Sequence, residues 1–273
     1  MDSAAIQPLP LTAFYCCALR AADAASAKPV CSDDLAHQFI DDETLARLQP
    51  ALRFRGPAAS NVARHRIIDD IIRNALAENR VRRIILLGAG LDTRAFRLDG
   101  GQWWEFDDGA LFALKESKLP ARSARNALTR TAVDFSRAAL RDYLAPLAGE
   151  DEALVVLEGV SMYLPPEVLE RTAATVRATL PRASIVCDLM SPAFRERFAK
   201  DLRRELGRLG AHFDSSPTHP RLALETAGYR STDVVSIVGR ARDAGSLRIP
   251  RWLLNSLLRE LRDGYAVWKW AVD

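Results

Sequence analysis

Apolar residues along this chain recur in two patterns, short unbroken runs and longer stretches with helical spacing. The clearest run is Ile84-Ile85-Leu86-Leu87, with Arg82-Arg83 in front and Gly88-Ala89-Gly90 behind. A short, wholly apolar run with β-branched members reads as a strand buried on both faces, as in a parallel sheet. Upstream, Val62, Ile67, Ile68, Ile71, Ile72, Ala75 and Leu76 keep near-helical spacing and predict an amphipathic helix that feeds this strand. Downstream the two patterns alternate. Residues 102–107, 128–133, 153–158 and 183–189 read as strands, and residues 111–119 and 138–147 as helices. Pro165-Pro166-Glu167 opens another helix, with proline in the favoured first turn. Such alternation implies parallel pairing through right-handed crossovers, and so a doubly wound α/β sheet.

The two ends of the chain break the rhythm. Residues 9–20 predict a buried helix, and Ser32-Asp33-Asp34 ahead of Leu35, Ala36, Phe39 and Ile40 resembles a helix N-cap with its apolar face. Arg53-Phe54-Arg55-Gly56-Pro57 marks a boundary. After residue 190 a charged helical segment leads into Gly210-Ala211-His212-Phe213-Asp214, an insertion placed to roof a pocket. Residues 222–227 predict a short helix closed by Gly228, and 234–238 and 265–272 two last strands joined by a helix around 251–262. The expected organisation is one domain: a helical cap (1–60), a core (61–190), a lid insertion (191–218) and C-terminal strands with a helix (219–273).

Composition narrows the class. The 273 residues carry 38 basic and 35 acidic side chains, scattered along the chain, for a net charge of +3. A nucleic-acid surface would need those basic residues clustered, so no nucleic-acid partner is expected. Cys16, Cys17, Cys31 and Cys187 have neither metal-ligand spacing nor a secretory disulfide framework and read as small buried hydrophobes. The N-terminus lacks the basic start of a signal peptide, and no apolar run is long enough to span a bilayer, so a cytoplasmic protein without a membrane partner is expected.

The polar residues that end the strands carry the chemistry. Gly88, Ala89 and Gly90 close the first strand, Asp107 the second, Asp134 the third and Glu158 the fourth, all at one edge of the sheet, where open α/β folds bind ligands. The glycine turn exposes backbone N–H groups and admits a ligand closely. Asp107, 17 positions after Gly90, stands near the spacing at which an acid takes up ribose hydroxyls. Asp134 suits an adenine amino group, with Phe135 against the ring. The third glycine of the dinucleotide fingerprint is missing, and no Lys-Ser or Lys-Thr follows the turn. An acid-rich site without a phosphate-binding lysine suits S-adenosylmethionine.

These residues also carry a resemblance. Ala63-Arg64, the string Leu86-Leu87-Gly88-Ala89-Gly90-Leu91-Asp92-Thr93-Arg94-Ala95-Phe96-Arg97-Leu98, Glu105-Phe106-Asp107, Lys115 and Glu158-Gly159-Val160-Ser161-Met162-Tyr163-Leu164 resemble the leucine carboxyl methyltransferase family, including its bacterial polyketide O-methyltransferase-type members. The likeness runs in order over about two thirds of the chain. It implies a Rossmann-like class I methyltransferase with a mostly parallel seven-stranded sheet. By motif position Arg64 would bind the cofactor carboxylate, Gly88 and Gly90 would flank its methionine part, Asp107 the ribose, and Asp134 with Phe135 the adenine. Glu158 would lie near the methionine amino group. Asp108-Gly109 replaces the proline usual after the ribose acid, which leaves Glu105, Asp107 and Asp108 all open for that role.

The implied reaction is an in-line methyl transfer to a carboxylate or hydroxyl of a small molecule or peptide C-terminus. A carboxylate acceptor is already ionised at neutral pH, whereas a phenol needs a base or a lowered pKa. No residue declares itself as a general base. Tyr163 and His212 are candidate acceptor contacts. A non-catalytic S-adenosylmethionine-binding protein and a nicotinamide-dependent oxidoreductase are the competing readings.

Overall fold

The computed structural model describes residues 11–78, 81–134, 138–149 and 151–272. Three helices come first: α1 (Leu11–Ala24), α2 (Asp42–Leu52) and α3 (Arg55–Ala77). Asp41 caps α2 by accepting the Thr44 N–H, and Asp42 and Glu43 place negative charge at its positive end. The break expected at 53–57 is shorter than the sequence suggested. Pro57 sits in the first turn of α3, where its missing N–H costs no helical bond. Ser32-Asp33-Asp34 does not act as a helix cap. A 3₁₀ turn (Ala36–Phe39) without a side-chain cap follows it, because the Asp33 carboxylate is bound to Arg20 and Thr93 instead.

The alternating region then runs β1 (Arg83–Leu87), α4 (Arg94–Arg97), β2 (Gln102–Asp107), α5 (Gly109–Lys118), β3 (Ala127–Ala132), α6 (Leu140–Leu144), β4 (Ala153–Leu157), α7 (Pro166–Thr179) and β5 (Ala183–Met190). Side-chain alternation explains why the central strands read as solid apolar runs. Ile84 and Leu86 of β1, with Leu154 and Val156 of β4, enter the core under α3. Ile85 and Leu87, with Val155 and Leu157, enter a second core under α7 on the opposite face.

Two helices, α8 (Pro192–Phe198) and α9 (Lys200–Arg208), form the insertion after β5, and α10 (Arg221–Thr226) returns the chain to the sheet. The chain ends with β6 (Tyr229–Ser236), α11 (Ile237–Asp243), α12 (Arg251–Asn255), α13 (Arg259–Asp263) and β7 (Tyr265–Val272). The strand order is β3-β2-β1-β4-β5-β7-β6, with β1 to β5 parallel and β7 antiparallel to both neighbours. The expected seven-stranded, mostly parallel sheet is present. Two local expectations were displaced. Ile237 and Val238 belong to α11 rather than a strand, because the Ser236 hydroxyl caps that helix by accepting the Gly239 N–H. The single helix expected near 251–262 is two, divided at Ser256, whose backbone is not helical. No helix of the described residues is long and apolar enough to cross a membrane.

Candidate active site

The sheet order reverses between β1 and β4, and that reversal opens a crevice beyond their C-terminal ends. The turn after β1 is held over it by β2. The N–H groups of Gly88 and Ala89 both donate to the Phe106 carbonyl, at 2.9 and 3.2 Å. The Gly90 N–H donates to Asp107 Oδ2 at 2.6 Å. Gly88 has φ +74°, and a Cβ there would lie 2.5 Å from Val160 Cγ2. Gly159 has φ +68°, and its Cβ would press on the Arg64 guanidinium at 3.0 Å. Glycine is therefore required at both loops by the packing of the crevice walls.

Beneath the turn lies a buried ionic network. Arg64 Nε donates to Glu158 at 3.2 Å, and its Nη1 to Asp188 at 3.2 Å and Tyr265 at 2.8 Å. Only Nη2 of Arg64 remains, pointed at Cys16 Sγ at 3.7 Å. Arg94 is wholly enclosed: Nε donates to Asp69 at 2.6 Å, Nη1 meets Asp92 and Glu158, and Nη2 donates to the His65 carbonyl. His65, Asp92 and Glu158 are close enough together to ligate a cation, but the Arg94 guanidinium already reaches all three. Burial alone would raise the Glu158 carboxyl, yet Arg94, His65 and Arg64 hold it well below the usual carboxylate range. Burial, reinforced by Arg94, lowers the pKa of His65.

Two cavities open from this network. The first, about 260 Å³, runs along the glycine turn between Asp107, Glu158 and α1. The second, about 230 Å³, adjoins it and is walled mainly by apolar side chains of α8, α9, Phe213 and the C-terminal segments, with Ser60, Asn61 and Arg64 of α3 as polar exceptions. Cys16, Arg64, Gly159 and Tyr163 line both cavities and form the seam between them.

Arg64, Gly88, Ala89, Gly90, Asp107 and Glu158 come together around the first cavity. The three acids are placed differently. Glu105 is buried away from the cavity, bound to Lys115 at 2.7 Å and Arg130 at 2.9 Å. Asp108 caps α5 through the N–H groups of Ala110 and Leu111. Asp107 alone of the three lines the cavity. Among the described residues its oxygens accept the N–H groups of Gly90 and Asp108. Burial raises its pKa.

Asp134 does not join this group. It is exposed beyond β3, its backbone N–H donates to the Tyr143 hydroxyl, and it lines neither cavity. Phe135 lies outside the described residues. Tyr163 stands at the seam with its ring edge-on to Phe213, centroids 5.1 Å apart, and burial raises its phenol pKa. His212 is exposed and lines neither cavity, whereas Phe213 beside it lines the second. Cys17, Cys31 and Cys187 are buried and free, and burial pushes the Cys17 thiol up to about 12. Cys16 departs from the expected buried role, being half-buried between the cavities. Sequence reasoning missed Tyr15, Arg20, Asn61 and Tyr265, which line one cavity or the other: the first three lie on helices, and Tyr265 opens β7, an antiparallel strand whose first residue, not its last, reaches this edge.

Sheet order, crevice and strand-end acid together define the class I methyltransferase fold. Solved structures agree. A Thermobifida fusca protein provisionally named a methyltransferase superposes with TM-score 0.63 at 16% identity, covering 99% of this chain and 100% of that one. Magnesium protoporphyrin IX methyltransferase from Synechocystis, solved with S-adenosylhomocysteine, superposes with TM-score 0.52 at 11% identity, covering 88% and 99%. The leucine carboxyl methyltransferase profile matches residues 13–177, more than half of the chain, and the protein belongs to that family. A Streptomyces avermitilis relative is 34% identical over 59% of this chain and 57% of its own length. A Mycobacteroides abscessus relative is 27% identical over 89% of this chain and 80% of its own. Both are provisionally named S-adenosyl-L-methionine-dependent methyltransferases, in line with the cofactor expected from the strand ends.

Proposed function

We propose that the protein binds S-adenosylmethionine in the first cavity and transfers its methyl group to an oxygen of an acceptor held in the second. The acceptor is a small molecule or a peptide C-terminus. The observation that supports this most directly is the seam. A mainly apolar chamber meets the glycine-turn cavity across Cys16, Arg64, Gly159 and Tyr163, so two ligands can adjoin there.

The residues present fit the cofactor. Asp107 offers acceptor oxygens to ribose hydroxyls, Gly88 and Gly90 admit close approach, and Glu158 offers an ionised carboxylate to an ammonium group. Arg64, with Nε and Nη1 committed to Glu158, Asp188 and Tyr265, presents only its Nη2 edge to a carboxylate. When bound, the cofactor supplies an electrophilic methyl on a sulfonium. The chain's own task is to align the two ligands, with α1 lining both cavities and the insertion helices the second.

Calorimetric titration tests the reading. S-adenosylmethionine is expected to bind and NADH not to bind. Asp107→Ala and Arg64→Lys are each expected to weaken the cofactor at least about tenfold, which corresponds to roughly 1.4 kcal/mol. Unchanged affinity in both variants overturns the site. Transfer of labelled methyl to carboxylic acids, phenols and peptide C-termini then identifies the acceptor.

A further inference from the structure

The second cavity is specific about the group it can hold. Arg64 is the one charged side chain among its described lining residues, and it is already bound to Glu158 and Asp188. An acceptor carboxylate entering this chamber would find no uncommitted cation, and burying an ion without a partner is strongly unfavourable. Among the described lining residues, two fully buried polar atoms lack partners. The Tyr15 hydroxyl and Asn61 Oδ1 are both buried and make no hydrogen bond, including to each other. Their residues are 4% and 7% exposed, and both line this cavity. They adjoin the seam: Tyr15 precedes Cys16, and Asn61, one turn before Arg64 on α3, donates from Nδ2 to Cys16 Sγ at 3.1 Å.

Buried polar atoms are normally paired, so an unpaired donor and acceptor in one chamber are the complement of a ligand group. Burial raises the Tyr15 phenol pKa, so at neutral pH it keeps its proton and can donate. Asn61 Oδ1 can only accept. A hydroxyl satisfies both, accepting from Tyr15 and donating to Asn61. An ionised carboxylate can only accept, and would set its negative oxygen against Oδ1.

We propose that Tyr15 and Asn61 hold the hydroxyl of an uncharged, mainly apolar acceptor, making the protein a hydroxyl O-methyltransferase rather than a carboxyl one. The assignment rests on the methyl-transfer reading above. The hydroxyl oxygen forms a bond to the methyl carbon as the sulfonium–methyl bond breaks. S-adenosylhomocysteine leaves as the neutral thioether, and the hydroxyl proton passes to solvent water. Tyr15 and Asn61 act as positioning groups that set which oxygen faces the methyl.

Equilibrium dialysis tests this on the full chain saturated with S-adenosylhomocysteine. The probes are 2-naphthol, 2-naphthoic acid and naphthalene at neutral pH, where the acid is ionised and the naphthol is not. The expected result is that naphthol binds at least about tenfold more tightly than naphthoate. Tyr15→Phe and Asn61→Leu should each reduce naphthol affinity about fivefold, the loss of one hydrogen bond, with naphthalene and S-adenosylhomocysteine binding unchanged. Unchanged S-adenosylhomocysteine binding also shows that the variants are folded. The hydroxyl assignment is overturned if naphthoate binds as well as naphthol, if naphthol does not bind, or if neither variant affects it. Failure of the unaltered protein to bind S-adenosylhomocysteine overturns the methyl-transfer reading itself.

Discussion

Asp69 shows how individual side chains set the balance of charge under the site. It is fully buried on α3 and bonds Arg94 at 2.6 Å and Arg97 at 3.1 Å. Burial alone would raise its pKa, but Arg94, His65 and Arg97 outweigh that and bring it from 3.8 to about 2. The folded value lies below the unfolded one, so the contribution is complete above about pH 4 and is lost as pH falls toward 2. It amounts to about 2 kcal/mol. Asp69→Asn should cost roughly 3 kcal/mol at neutral pH, because it leaves buried guanidinium groups short of charge. Urea unfolding across this pH range should show the gap between variant and parent narrowing as the solution is acidified, and a constant gap would refute the assignment. None of this could be read from the sequence. Apart from Asp92, the partners of Arg94 and Arg64 lie 25 to 201 positions away along the chain, and no local pattern links them. Asp107 was legible because parallel strands deliver their last residues to one edge. Asp134 obeys the same rule, yet it follows β3, which pairs only with β2 at the rim of the sheet.

At the scale of elements, the loops after β1 and β4 come close where Gly88 faces Val160. Two effects add for any side chain at Gly88: a positive φ that L-residues adopt at a cost of about 1 kcal/mol or more, and a Cβ that would stand 2.5 Å from Val160 Cγ2. Gly88→Ala should therefore destabilise by roughly 3 kcal/mol, and Gly88→Ala with Val160→Ala should recover the steric share but not the backbone share. Chemical denaturation of both variants checks this, and full recovery in the double variant would show that φ costs nothing here. The same distinction explains which elements the sequence revealed. β1, β4 and β5 are buried on both faces, so their apolar runs were unambiguous. β6 pairs only with β7 and exposes much of its length, including Val234. The strand expected at 234–238 therefore overlaps β6 only at 234–236, and Ile237 and Val238, which lengthened its apolar run, open the next helix instead.

For the molecule as a whole, the helical cap decides how the site is closed, because α1 contributes to both cavities: Cys16 and Arg20 to the first, Tyr15 and Cys16 to the second. The cap is fastened to the core by a buried clasp. Arg20 Nε binds Asp33 at 2.8 Å and its Nη2 donates to the Leu91 carbonyl at 2.7 Å, while Thr93 donates to Asp33. The clasp thus ties the cap to the loop between the glycine turn and α4. Removing one member leaves the other charge buried, at a cost of about 3 to 5 kcal/mol, whereas exchanging both for apolar residues can be nearly neutral. Arg20→Met and Asp33→Leu should each destabilise strongly, and the double variant should cost much less than their sum. A double-mutant cycle on urea unfolding measures the coupling, and additive losses would refute the clasp. The double variant still lacks the Arg20–Leu91 bond, so its α1 amides should exchange with deuterium faster than the parent's even where global stability is recovered. S-adenosylmethionine affinity should fall with that protection, because Arg20 and Leu91 line the first cavity directly. If α1 exchange rises while cofactor affinity holds, the cap encloses the acceptor chamber alone.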